Sequence, residues 1–170
     1  FAEWLEAGQG KHIVEAGAHD GQLASDILGY LHQNQPELAG KIEYWIIEPS
    51  DIRKGWQRDK LKMFGRQVKW KSRWNNVKQH GVRGVIFGNE LMDAFPVHRL
   101  GWDKNQQEWF EWGVDFSDCR FGWERMKEPA LKALRNGTFQ VPRALREHLP
   151  DDFVTVCSPQ AATWWQDAAD

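Results

Sequence analysis

Apolar positions along this chain come in two patterns. Short continuous runs appear at His12-Ile13-Val14, at Ile42 to Ile47 (IEYWII) and at Arg83 to Gly88 (RGVIFG). Such β-branched and aromatic runs predict strands buried on both faces. Between the first two, Leu23, Ile27, Leu28 and Leu31 fall at i, i+4, i+5 and i+8. That spacing predicts a helix over Gln22 to Gln33, ended before Pro36. A second helix is predicted from the Glu48–Asp51 region through Leu61, and a short alternating strand at Gln67 to Lys71. Phe1 to Gln9 reads as the end of a helix stopped at Gly8 or Gly10. Strands alternating with helices predict an α/β fold, a mostly parallel sheet with helices on both faces.

The pattern changes after Phe95. Val97 to Trp102 and Glu108 to Val114 are strand-like and joined by a polar turn, Asp103 to Gln107, which predicts an antiparallel hairpin. Trp102, Trp109 and Trp112 are expected to pack across it. Asp115 to Arg146 is irregular, with a helix expected at Pro129 to Arg135. Phe153 to Val156 reads as a strand and Pro159 to Ala169 as a helix. There is no internal repeat. The expectation is one domain over 1–170, in which 97–150 is a hairpin and irregular insertion on the substrate side.

The stretch after the first strand carries chemistry. Glu15 falls where that strand should end, and Gly17 and Gly21 bracket the turn Ala16-Gly17-Ala18-His19-Asp20-Gly21 before the helix. Strand, glycine turn and helix open many nucleotide-binding α/β domains, because glycine lets backbone approach a ligand. The spacing is not G-x-G-x-x-G, since His19 stands where the second glycine belongs. Glu15 and Asp20 would repel a pyrophosphate at the helix N-terminus and suit a ligand with positive charge and no phosphate, such as S-adenosylmethionine. A plain tight βα connection remains the alternative.

Two further acidic sites fall at strand ends. Glu48 closes the second strand, where a carboxylate can accept both hydroxyls of a ribose; a helix N-terminal charge is its alternative. Asn89, Glu90 and Asp93 follow the fourth strand. Ligands of open α/β sheets bind beyond the carboxyl ends of the strands, so Glu15, Glu48 and Asn89-Glu90 converge on one edge. Carboxylates there could pin a cationic acceptor, although Asn89 could also cap a helix and Asp93 serve a turn. Trp70 or Trp74 could cover an adenine ring, with core packing the alternative for both. His19 could touch the ligand and His98 could reach the same edge. A structural hydrogen bond is the alternative for each, and neither has a partner at metal spacing.

Composition changes little in this picture. With Lys+Arg 22 against Asp+Glu 24, the net charge of −2 offers no electrostatic case for nucleic acid or an anionic membrane. Cys119 and Cys157 lie far apart without metal-ligand spacing and read as reduced intracellular thiols. No apolar run approaches the roughly 20 residues of a membrane span. The 11 tryptophans read as packing residues rather than a binding platform. The chain begins at Phe1 and stops at Asp170 inside a helical pattern, as a fragment would.

The runs VEAGAHDGQLASDIL, YWIIEPSDIRKGWQRDKL and GVIFGNELMDAFPVHRL, in that order, resemble the MidA-like S-adenosylmethionine-dependent methyltransferases. The run N-E-x-x-D-A-x-P-V is the most specific, and SPQAATWW is similar to a later family motif. The resemblance implies a Rossmann-like class I methyltransferase fold using S-adenosyl-L-methionine. It implies Glu15, Gly17, His19 and Gly21 in the donor loop, Glu48 on the ribose with Ser50 beside it, and Asn89, Glu90 and Asp93 at the donor–acceptor junction. The family includes a mitochondrial protein arginine methyltransferase needed for respiratory complex I assembly. A protein side chain, arginine first, is therefore the expected acceptor, with an assembly-factor partner possible. The expected compartment is cytoplasmic in a prokaryote and mitochondrial in a eukaryote. His19 and Asp20 depart from the family's glycine-rich loop, and Val156 stands where a glutamate is expected. The family's next strand, Asp-Tyr-Gly, lies beyond Asp170. Two rival readings are a non-catalytic partner-binding module on the same fold and a nicotinamide oxidoreductase; Asp20 and the absent second glycine oppose the latter.

Overall fold

The computed structural model describes residues 1–8, 10–78, 81–137, 139 and 141–169. Gln9, the last residue of the expected N-terminal helical stretch, lies outside them. The chain divides into two units, Phe1–Ala94 with Trp164–Asp170, and Phe95–Thr163.

The first unit follows the apolar runs. Helix α1 (Ala2–Ala7) leads to β1 (His12–Ala16), α2 (Gln22–Asn34), α3 (Pro36–Ala39), β2 (Glu43–Ile47) and α4 (Asp51–Lys60). A 3-10 segment, Lys62–Gln67, precedes β3 (Val68–Lys71), α5 (Trp74–Lys78) and β4 (Gly84–Gly88). The four strands are parallel in the order β3-β2-β1-β4. Every residue of β1 is buried, because helices cover both faces of the sheet. On one face Ile13, Tyr44, Ile46 and Val68 pack with Leu5, Ala24, Leu28, Leu31 and Leu38. On the other Val14, Ala16, Trp45 and Ile47 pack with Trp74 and Val77, and with Trp164 and Ala168.

Two details differ from the apolar pattern. In α2 the buried residues are Ala24, Leu28 and Leu31, while Leu23 is exposed. In α4 the apolar Ile52 and Trp56 face solvent, at 70% and 50% exposure, and the inward face is Lys54, Gln57 and then Leu61. Both tryptophans that could have served adenine are packing residues. Trp74 is buried with its ring 5.4 Å from that of Trp164, and Trp70 lies against the core.

The second unit contains β5 (His98–Asp103), β6 (Glu108–Ser117), β7 (Arg120–Arg125), α6 (Lys132–Arg135), α7 (Arg143–Arg146) and β8 (Val154–Cys157). Helix α8 (Pro159–Ala169) begins in it. Its strands form one antiparallel sheet in the order β7-β6-β5-β8. The expected hairpin is present, and Trp102 faces Trp109 across it with ring centroids 5.1 Å apart. Trp112 is instead opposite Arg99 and stacks edge-on against Phe110. Asp103 shapes the turn by accepting the N–H groups of Asn105 and Gln106.

The stretch read as irregular, Asp115 to Arg146, contains a strand. β6 runs on to Ser117 and turns through Asp118 and Cys119, both with left-handed φ, into β7. Two positive φ values are what a two-residue hairpin needs, and Asn-Gly or Asp-Gly is its usual signature. Asp-Cys hid it. All six residues of β7 are exposed, and its one apolar alternation, Phe121 and Trp123, is too short to mark a strand without a turn signal beside it.

Candidate functional site

The loop between β1 and α2 is as tight as a glycine-rich turn. Gly17, His19 and Gly21 have φ of 77°, 46° and 86°. The Gly21 N–H donates to the Ala18 carbonyl at 2.7 Å. His19 thus adopts a glycine-like backbone at the position where the second glycine was missing. Glycine suits position 21 because of its left-handed φ; a Cβ there would only touch Gln57 and Leu61 of the α4 region at about van der Waals distance, 3.4 Å.

Asp20 accepts the Gln22 N–H at 3.0 Å, satisfying one free donor at the start of α2. Its other oxygen is paired with Lys60. The Lys60 bond, helped by that backbone N–H, holds the Asp20 carboxyl below its ordinary range. Asp20 is therefore a compensated charge, and its expected repulsion of a pyrophosphate is offset by Lys60.

Glu15 is buried at 2% exposure. Burial raises its pKa, an effect opposed by the Tyr44 hydroxyl, which donates to Glu15 Oε2 at 2.6 Å. The Tyr44 hydroxyl is itself pushed up by burial and by the adjacent carboxylate, so it keeps its proton and remains the donor. An open cleft of about 440 Å³ lies at this edge of the sheet. Glu15, Gly17, Ala18 and His19 line it together with Asn89 and Glu90. Glu90 has φ of 51°, a strained conformation for a residue with a side chain, of the kind that clusters at binding sites.

The structure thus brings together the donor-loop residues Glu15, Gly17 and His19 with Asn89 and Glu90. Four other expected site residues do not line the cleft. Gly21 is buried at the N-terminus of α2. Asp93 is exposed in the 3-10 turn Met92–Ala94. Ser50 caps α4, its hydroxyl accepting the Arg53 N–H at 3.4 Å. Glu48 is buried at 1% exposure, directly after β2. Its Oε1 accepts the Ser50 N–H at 2.9 Å and its Oε2 faces the Gln57 amide at 3.4 Å. A carboxylate has about four lone-pair sites, so capacity remains for a ligand hydroxyl. His98 belongs to the second unit, where Nδ1 is 2.6 Å from Glu111.

The sequence reading missed Leu23, Arg53 and Leu91, which also line the cleft. Leu23 carried a signal: it stood on the rim of an amphipathic stripe, directly after the glycine turn. Among the described residues no group of three or more His, Cys, Asp or Glu could hold a metal ion. No helix among them is long and apolar enough to cross a membrane.

The residues fit a donor such as S-adenosylmethionine. The cleft lies within the roughly 300–1,000 Å³ of small-ligand sites. It offers a buried carboxylate for an ammonium or sulfonium, a close-approach loop, and the apolar side chains of Leu23 and Leu91.

Comparison with known proteins bears on the family and the donor. The model of a family described as "Putative S-adenosyl-L-methionine-dependent methyltransferase" matches residues 1–170. A crystal structure of a superfamily member from Burkholderia thailandensis, bound to S-adenosyl-homocysteine, is similar at 25% identity and a TM-score of 0.72. The match covers 98% of this chain and 40% of that one. A native crystal structure of an uncharacterized protein of that superfamily, from the same organism, shares the fold at 24% identity and a TM-score of 0.70. That match covers 98% of this chain and 42% of the other. The chain thus spans about two fifths of the length of these solved proteins. A comparison with curated proteins found no match.

Proposed function

We propose a methyl-transfer function from one premise: the chain belongs to the S-adenosyl-L-methionine-dependent methyltransferase family whose model it matches along its whole length. The observation that carries the reading is the cleft itself, where Glu15, the left-handed loop and Asn89-Glu90 meet at the carboxyl edge of a parallel sheet. When bound, S-adenosylmethionine supplies an electrophilic methyl carbon on a sulfonium.

The chain's own residues have separable tasks. Glu15, held by Tyr44, counters the positive charge of the amino-acid end. Gly17 and Gly21 keep the loop close. Glu48 takes the ribose hydroxyls, with Ser50 fixing the start of α4 beside it. Asn89 and Glu90 orient the acceptor at the cleft, and a carboxylate suits a guanidinium or amine there. Asp93, three residues on, is the alternative carboxylate for that role. A protein side chain is the acceptor class, with arginine first. Direct displacement requires alignment of acceptor and donor, and removal of one acceptor proton, rather than covalent catalysis by the protein.

The test is calorimetric titration of S-adenosylhomocysteine into the intact protein, with Glu48→Ala alongside. The wild type should bind, and the variant should lose about 1–3 kcal/mol, the scale of hydrogen bonds to a charged group. Equal affinity would refute the ribose assignment. No binding by folded wild type would refute the donor reading.

One observation favours a second reading, a partner-binding module on a retained fold. Phe116, Phe121 and Trp123 stand exposed on the β6–β7 ribbon. Donor binding without methyl transfer to any protein arginine would favour it.

A further inference from the structure

Gln57 lies in the middle of α4 and is fully buried at 0% exposure. A buried primary amide is costly unless its donors and acceptor are partnered. Here each side of the amide is spoken for. The Trp70 indole N–H donates to Gln57 Oε1 at 2.9 Å. Gln57 Nε2 donates to the His19 carbonyl at 2.9 Å and faces Glu48 Oε2 at 3.4 Å. An indole N–H can only donate and a carbonyl or carboxylate can only accept, so one orientation of the amide satisfies all three partners. The amide cannot flip without setting donor against donor at Trp70 and acceptor against acceptor at His19.

The partners are not arbitrary. His19 is the left-handed residue at the centre of the glycine turn, and Glu48 is the acid at the end of β2. The one side chain that joins them comes from neither segment. It reaches them because α4 lies in van der Waals range of the loop at Gly21.

We propose that Gln57 is a positioning residue of the donor site, a clamp that couples the His19 turn to the Glu48 carboxylate and is itself indexed by Trp70. This deepens the methyl-donor reading above and rests on it. Gln57 touches neither donor nor acceptor in this account. It fixes the loop carbonyl and one carboxylate oxygen, leaving the rest of Glu48 free for a ribose diol.

The experiment is a mutant cycle read by calorimetric titration of S-adenosylhomocysteine into the intact protein. Gln57→Met keeps side-chain volume and removes the amide; Gln57→Met with Glu48→Ala completes the cycle. Gln57→Met should weaken binding about tenfold or more. In the Glu48→Ala background the same change should cost clearly less, because part of what it positions is gone. A merely structural role would give equal losses in both backgrounds, and that result overturns the proposal. So does unchanged affinity in Gln57→Met. If Gln57→Met does not fold, Trp70→Phe frees the amide without touching Gln57 and should weaken binding in the same sense; unchanged affinity there overturns the proposal. Absence of binding by folded wild type removes the donor reading and this inference with it, whereas wild-type binding with an indifferent Gln57 removes this inference alone.

Discussion

Strands β1 and β7 show how differently the two units are built. β1 is buried at all five positions, flanked by parallel neighbours and covered by helices on both sides. β7 is exposed at all six, at the end of an antiparallel sheet, held by its pairing with β6 alone in the strand order. The first arrangement ties sequence tightly to structure. A strand buried on two faces admits only apolar residues, and any polar one must have a partner and a purpose, as Glu15 does with Tyr44. The second arrangement leaves sequence loose. An exposed ribbon can carry Phe121 at 80% exposure or Arg120 with little consequence for its backbone.

The comparison can be broken most directly in the cores. Leu28→Ala, in the fully buried face of α2, should cost about 2–5 kcal/mol in urea denaturation. Trp102→Ala, buried at 1% beside Trp109 in the second unit, should cost about 3–5 kcal/mol if that unit also depends on its own core. A loss under about 1 kcal/mol at Trp102 would show that the contrast extends to the core, and not only to the ribbon.

Glu15→Gln probes the polar exception in the first unit. Burial raises the Glu15 pKa above its ordinary value of 4.5. The native state therefore holds this proton more tightly than the unfolded chain. The contribution of Glu15 to stability is fully present below the unfolded pKa and is lost as pH rises through the raised native one. Glu15→Gln keeps an acceptor for Tyr44 and removes the charge. It should raise stability relative to wild type near neutral pH, with the difference shrinking toward acid. A difference that grew toward acid would contradict the burial argument. The same variant should bind S-adenosylhomocysteine more weakly, so stability and binding should move in opposite directions.

Phe121→Ala should have the smallest effect, within about 0.5 kcal/mol, since truncating an exposed side chain removes little buried area. A loss well beyond that would mean its contact with Phe116, with ring centroids 4.9 Å apart, carries the ribbon.

The site was legible where chemistry and chain position coincide. Glu15, Gly17, His19, Asn89 and Glu90 were readable as candidates because each lies at or within a few residues of the carboxyl end of a parallel strand, and such ends share one edge. Gln57 was not readable, because nothing local distinguishes it from the other polar residues of α4. β7 was missed because neither burial nor a glycine turn marked it.

The sequence by itself determined the parallel sheet, its glycine turn and the acids at its edge, because a doubly buried strand and a left-handed loop restrict which residues can occupy them. Only the tertiary structure decided which face of α4 turns inward. By composition Ile52 and Trp56 should be buried, yet Lys54 and Gln57 are, because Gln57 meets a backbone carbonyl and a carboxylate and Lys54 meets the Ser72 hydroxyl as well as Asp51. Polar partners outside the helix, brought there by other segments, set the value of each face. Periodicity within the helix cannot carry that information.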